Sequence, residues 1–121
     1  MTEREAVLIV EDEALILMDI AFQLQAEGYT VYEAMNANAA IQLLMAHPEI
    51  RLIFTDIDMP GSMDGLTLAA AVRDRWPPVK IIITSGARAV EVPELPSGSV
   101  FFSKPYDHAA VFGCMRELLS A

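Results

Sequence analysis

Across 121 residues, seventeen Asp and Glu stand against eight Lys and Arg, a net charge of −9. That balance excludes a basic nucleic-acid-binding module, which meets phosphates with clustered Lys and Arg, while the length suits one domain and 54% hydrophobic residues supply the core a disordered chain lacks. No apolar run nears the ~20 residues of a membrane span, Met1-Thr2-Glu3-Arg4-Glu5 is too mixed for a secretory signal, and the single Cys114 fits a reducing compartment, so a cytoplasmic chain with no membrane partner is expected.

Ala6 to Val10 is a continuous apolar run that stops at Glu11-Asp12-Glu13, as a strand buried on both faces does. From Ala14 to Glu27, Asp19, Gln23 and Glu27 form a polar stripe opposite Leu17, Ile20, Ala21 and Leu24, which predicts a helix ended by Gly28. Thr30 to Ala34 is β-prone but partly polar, which suits a strand near a sheet edge. Asn36 is placed to cap a second helix reaching Ala46, just before Pro48. Leu52 to Thr55 reads as a third strand ending on Asp56. Asp64-Gly65 opens a third helix that Pro77-Pro78 stops. Val79 to Ile83 is a fourth strand closing on Thr84-Ser85-Gly86, and Val100 to Phe102 is a fifth, ending at Ser103-Lys104-Pro105. Between Ala87 and Ser99, Pro93 and Pro96 leave room for only a short or irregular fourth helix. A last helix from Asp107 carries Val111, Cys114, Met115 and Leu118 at helical spacing, and the seven methionines read as core fillers.

Five alternations of strand and helix predict an α/β fold, an open parallel sheet covered on both faces, whose ligands sit at the carboxyl ends of the strands. Those ends carry Glu11 and Asp12, Asp56, Thr84 and Ser85, and Lys104. If the first and third strands are neighbours, three carboxylates converge. Two carboxylates about 5 Å apart repel by roughly 3 kcal/mol at an effective dielectric near 20, so the cluster needs a proton or a cation. Oxygen ligands without His or Cys point to magnesium. With a lysine and a hydroxyl added, the set describes a pocket for a phosphoryl group carried on a carboxylate oxygen.

Val10-Glu11-Asp12-Glu13, Thr55-Asp56-Ile57-Asp58-Met59-Pro60, Met63-Asp64-Gly65, Ile83-Thr84-Ser85-Gly86 and Phe102-Ser103-Lys104-Pro105, in this order, resemble the receiver domain of a two-component response regulator along essentially the whole chain. The resemblance implies a flavodoxin-like (βα)5 doubly wound sheet in strand order 2-1-3-4-5. It implies that Asp56 takes phosphate from a phosphohistidine, that Glu11, Asp12 and Asp56 hold Mg2+ with the backbone carbonyl of Asp58, and that Lys104 pairs with the phosphoryl group and precedes a cis proline. A hydroxyl on the fourth strand and an aromatic on the fifth, Phe101, form the family's switch. Ser85 is favoured as that hydroxyl because it precedes a small residue, leaving Thr84 to the core; Thr84 is the alternative. The implied partners are a sensor histidine kinase or histidine phosphotransfer protein upstream and an unidentified protein target downstream.

Two stretches depart from the family pattern. Pro60-Gly61-Ser62-Met63-Asp64-Gly65 is one residue longer than usual, a bulge expected to alter access to the site. The stretch 87–99 is expected either to become ordered on phosphorylation or to be a loop with partners elsewhere. Residues 1–121 are expected to form one receiver domain without an effector. The rival readings are a small magnesium-dependent phosphatase with an aspartate nucleophile, suggested by Asp56-Ile57-Asp58, and a degenerate receiver serving only for docking. A flavin or nucleotide carrier is disfavoured because Glu11-Asp12-Glu13 stands where a glycine-rich phosphate loop belongs.

Overall fold

A computed structural model describes residues 4–57, 64–86 and 95–120. The elements run β1 (Ala6–Val10), α1 (Ala14–Ala26), β2 (Thr30–Ala34), α2 (Ala37–Ala46), β3 (Ile50–Asp56), α3 (Gly65–Arg75), β4 (Lys80–Ser85), β5 (Val100–Ser103) and α4 (His108–Ser120). All strand pairs are parallel and the sheet order is β2-β1-β3-β4-β5, the order the family resemblance implies. The partly polar β2 lies at an edge, and the fully buried β1 lies between it and β3.

Alternation along the strands divides the core into two layers. Leu8, Val10, Ile53, Ile81 and Ile83 face α2 and α3. Val7, Ile9, Leu52, Phe54 and Ile82 face α1 and α4. Each large aliphatic side chain fully buried this way contributes about 1.5–3 kcal/mol, so the central strands are the most firmly held part of the molecule. Local signals set the helix ends. Asn36 accepts from the Ala39 N–H at 2.8 Å and Asp64 from the Thr67 N–H at 2.9 Å, capping α2 and α3, and Gly28 leaves α1 at a φ of 102°.

Two features differ from the sequence reading. β3 starts at Ile50 and takes in Asp56, and β4 continues through Thr84 and Ser85, because pairing with neighbours extends both strands beyond their apolar runs. Met18, Met35 and Met45 are exposed, and of the methionines only Met115 joins the described core; an unbranched, flexible thioether is tolerated at the surface as readily as in a core gap. Leu15 and Phe22, also apolar, lie with Met18 on the outer face of α1 at 82% and 73% exposure. Residues 95–99 contain no helix, and the rest of the irregular fourth-helix stretch, 87–94, lies outside the described residues, as does the Gly61-Ser62 insertion.

Candidate functional site

The register of the central strands builds the site. Val10 pairs with Thr55, so the next residues, Glu11 and Asp56, emerge side by side at the carboxyl edge. Glu11 stays tied to the sheet by its N–H, which donates to the Ala34 carbonyl at 3.0 Å. Glu11, Asp12 and Asp56 each bring a carboxylate oxygen within 4.8 Å of the others. Glu11 and Asp56 are buried, at 4% and 6% exposure, and Asp12 is half-buried. Two buried carboxylates and a third at the mouth form a hard-oxygen donor set without His or Cys, which suits magnesium.

Lys104 enters from the end of β5. Its N–H donates to the Ser85 carbonyl at 2.9 Å, and Nζ lies 2.7 Å from Asp56 Oδ2 and 3.9 Å from Glu11 Oε1. The Lys104–Pro105 peptide is cis. Gly86 lets the lysine stem pass closely, since a Cβ there would stand 3.2 Å from Lys104 Cβ. Behind Asp56, the Ile57 N–H donates to the Thr84 carbonyl at 2.9 Å and the Gly65 N–H to the Ile57 carbonyl at 3.0 Å, which locks the end of β3 to β4 and α3.

Among the described residues one ammonium faces three acids. Burial, reinforced by the neighbouring Asp56 charge, pushes the Glu11 carboxyl up to about 7. Burial also disfavours the charged form of Lys104, but its hydrogen bond to Asp56 and the charges of Asp56 and Glu11 outweigh this and raise its pKa.

Both hydroxyls on β4 are buried, Thr84 at 2% and Ser85 at 1%. Thr84 pairs directly with Asp56 and shares its face of the sheet, whereas Ser85 pairs with Ser103 and faces the other way. Thr84 also lines the small cavity beside Asp56, together with Glu11, Phe54 and Tyr106. β4 does not end at Ile83, so strand alternation governs both residues: Thr84 lies on the face of Asp56, and Ser85 on the face of Phe101, whose partner Ile83 stands two residues before it. Phe101 pairs with Ile83 and packs against the α2 and α3 side of the core. Asp58 lies outside the described residues. Tyr106, absent from the sequence reading, closes the inner wall of the site and packs edge-on against Phe54 at 5.9 Å between ring centroids. Its only signal in the sequence is its place two residues after Lys104.

The raised Glu11 pKa couples the site to stability. A carboxyl that holds its proton more tightly folded than unfolded favours the folded chain fully below about 4.5, its ordinary value, and this contribution is lost as pH rises through about 7. The metal-free protein is expected to lose about 2 kcal/mol of unfolding free energy across this window, after allowance for solvent screening at the cleft mouth. Glu11→Gln should flatten the slope, and millimolar Mg2+ should restore stability at pH 7.5. Urea unfolding at a series of pH values measures all three; a wild-type curve parallel to that of Glu11→Gln refutes the coupling.

The model of the response regulator receiver domain family matches residues 7–111. The chain is 33% identical over 117 residues to the sensor kinase CckA of Brucella abortus, covering 93% of this chain and 12% of that protein. It is 31% identical over 116 residues to the aerobic respiration control protein ArcA of Escherichia coli K12, covering 94% of this chain and 48% of ArcA. The chain thus spans less than half the length of either relative. Among solved structures, a response regulator receiver protein from Sinorhizobium medicae superposes with a TM-score of 0.90 at 28% identity, over 98% of this chain and 97% of that one. The match runs through β1 and β3, the strands whose ends bring Glu11, Asp12 and Asp56 together, and the chain belongs to the receiver domain family of two-component response regulators.

Proposed function

We propose that Asp56 accepts a phosphoryl group from a phosphohistidine of a partner protein. The observation that carries this reading is the placement of Asp56, a buried carboxylate at the end of β3 held 2.7 Å from Lys104 Nζ and within 4.8 Å of the Glu11 and Asp12 oxygens. In the reaction an Asp56 carboxylate oxygen bonds to phosphorus while the P–N bond to the donor imidazole breaks. The electron pair leaves with the imidazole, which takes a proton from water, and Asp56 becomes an acyl phosphate. Glu11, Asp12 and Asp56 would hold magnesium, with the Asp58 backbone carbonyl as the family resemblance implies, and the ion would supply positive charge against the phosphoryl oxygens. Lys104 supplies the second positive charge, its flexible stem letting the ammonium pass from the carboxylate to the transferred group. Ser85 is the hydroxyl that turns to the phosphoryl oxygens, with Phe101, on the same face of the sheet, following on β5; Thr84 is the alternative. No substrate is turned over, so the domain acts as a self-catalysing phosphoacceptor rather than as a classical enzyme.

The donor reaches Asp56 along the groove beside Lys104, of about 590 Å3, lined by Leu15, Ile16, Asp19, Tyr106 and His108. Leu15, Met18 and Phe22 extend it as an exposed apolar stripe on α1, a surface suited to a helical partner. A histidine kinase or histidine phosphotransfer protein is the proposed partner, supported by the likeness to the sensor kinase CckA.

Amide NMR during titration with Mg2+ and beryllium fluoride tests the reading on wild type and Asp56→Asn. Wild type should shift at Asp56, Ser85 and Lys104; Asp56→Asn should lose the beryllium fluoride response. A wild type without magnesium-dependent change at Asp56, Ser85 and Lys104 overturns the phosphoacceptor role.

A further inference from the structure

At the end of the sheet away from Asp56, the amino ends of β1, β3 and β4 and the carboxyl ends of α2 and α3 surround a half-open cavity of about 530 Å3. Small-molecule sites range over roughly 300–1,000 Å3. The floor is apolar and belongs to the packed core: Leu44, Ile50 and Val79 are all buried. One wall is Trp76, which follows α3 as its C-cap. The Arg75 guanidinium sits 4.6 Å from the indole centroid, which restrains the ring.

The charged groups at the rim are mostly committed to one another. Glu5 and Arg51 pair at 2.9 Å. Glu49 accepts from the Tyr32 hydroxyl and lies 3.4 Å from His47. Arg73 and Arg75 occupy the last turn of α3, where they offset the negative end of its dipole, and Arg73 donates to the Pro77 carbonyl at 2.7 Å. Arg4 is the exception, pairing with no acid among the described residues.

An apolar floor, an indole wall and one guanidinium that pairs with no acid among the described residues specify a ligand with a flat apolar body and a single negative end. Additional negative charges would face Glu5 and Glu49 at the rim and the overall −9 of the chain. A cation would meet Arg4 and Arg51. We propose that this cavity binds an aromatic monocarboxylate, with its ring against Trp76 and the aliphatic floor and its carboxylate on Arg4. The site is separate from the phosphoacceptor cleft and does not depend on that cleft's chemistry.

The chain contains one tryptophan, so its indole Nε1–H gives a single, unambiguous NMR resonance. The probe is 2-naphthoate, titrated into the isotope-labelled full chain, with naphthalene-2-carboxamide as the uncharged comparator. Saturable shifts are expected at the Trp76 indole and at the Leu44, Ile50 and Val79 amides, with Asp56 and Lys104 stationary. Arg4→Gln, at an exposed position, should weaken naphthoate binding about tenfold, the loss of one charge-assisted hydrogen bond, and leave carboxamide binding unchanged. Shifts that fail to saturate, that map away from the cavity or that are equal in wild type and Arg4→Gln overturn the proposal. So does a carboxamide that binds wild type as tightly as naphthoate.

Discussion

Lys104→Met should slow phosphorylation of Asp56 by a small-molecule phosphodonor by about 10²–10³-fold, the usual cost of removing one preorganised charge-stabilising donor. The ammonium lies 2.7 Å from Asp56 Oδ2 and 3.9 Å from Glu11 Oε1, so its loss removes the cation that the described residues hold against the buried carboxylates. Methionine keeps most of the apolar stem and the packing against Gly86 while removing only the charge. Magnesium affinity should hold or rise in the same variant, because the ammonium no longer competes for Asp56. Stopped-flow phosphorylation at saturating Mg2+ separates the two effects. A rate within threefold of wild type, on the order of the variation a neutral substitution produces, removes Lys104 from the reaction.

Gly65→Ala is expected to destabilise the fold by about 3 kcal/mol, at the upper end of overpacking effects, and to weaken magnesium binding with it. A Cβ on residue 65 would stand 2.1 Å from the Asp56 carbonyl oxygen, 2.6 Å from Ile57 Cα and 2.8 Å from the Asp56 carbonyl carbon. All three are backbone atoms, so no side chain can rotate away to relieve the clash. Either the first turn of α3 retreats, breaking the 3.0 Å bond from the Gly65 N–H to the Ile57 carbonyl, or the end of β3 moves and takes Asp56 with it. Urea unfolding and a magnesium titration of the same variant measure both consequences. A loss under about 1 kcal/mol, ordinary for a surface site, would show that the two backbones are not held this closely.

Much of the architecture was legible because local chemistry and tertiary placement agree. The apolar run of β1, the polar edge of β2, the Asn36 cap and the proline stop after α3 each carry their own signal, and each lies where that signal predicts. Glu11, Asp12, Asp56 and Lys104 could be singled out because strand ends are where such sheets bind ligands. Their convergence was conditional on β1 lying beside β3, a fact of sheet order that no residue pattern within either strand contains.

Where neighbours on other strands decide the outcome, the sequence alone stopped short. β4 continues past its apolar run because Asp56 and Ser103 offer backbone partners to Thr84 and Ser85, and that pairing determines which hydroxyl shares a face with Asp56. Gly65 reads as an ordinary helix start until the chain folds back and sets it against the Asp56 backbone. Arg4 and Trp76, more than seventy residues apart, meet at one cavity only because β1 begins at the edge of the sheet where α3 ends. Composition and periodicity determined the strands, the helices and the acids at the strand ends, since these depend on near neighbours in the chain. Register, close backbone approach and the cavity at the far end belong to the tertiary structure alone, because each depends on contacts between segments that the chain separates widely.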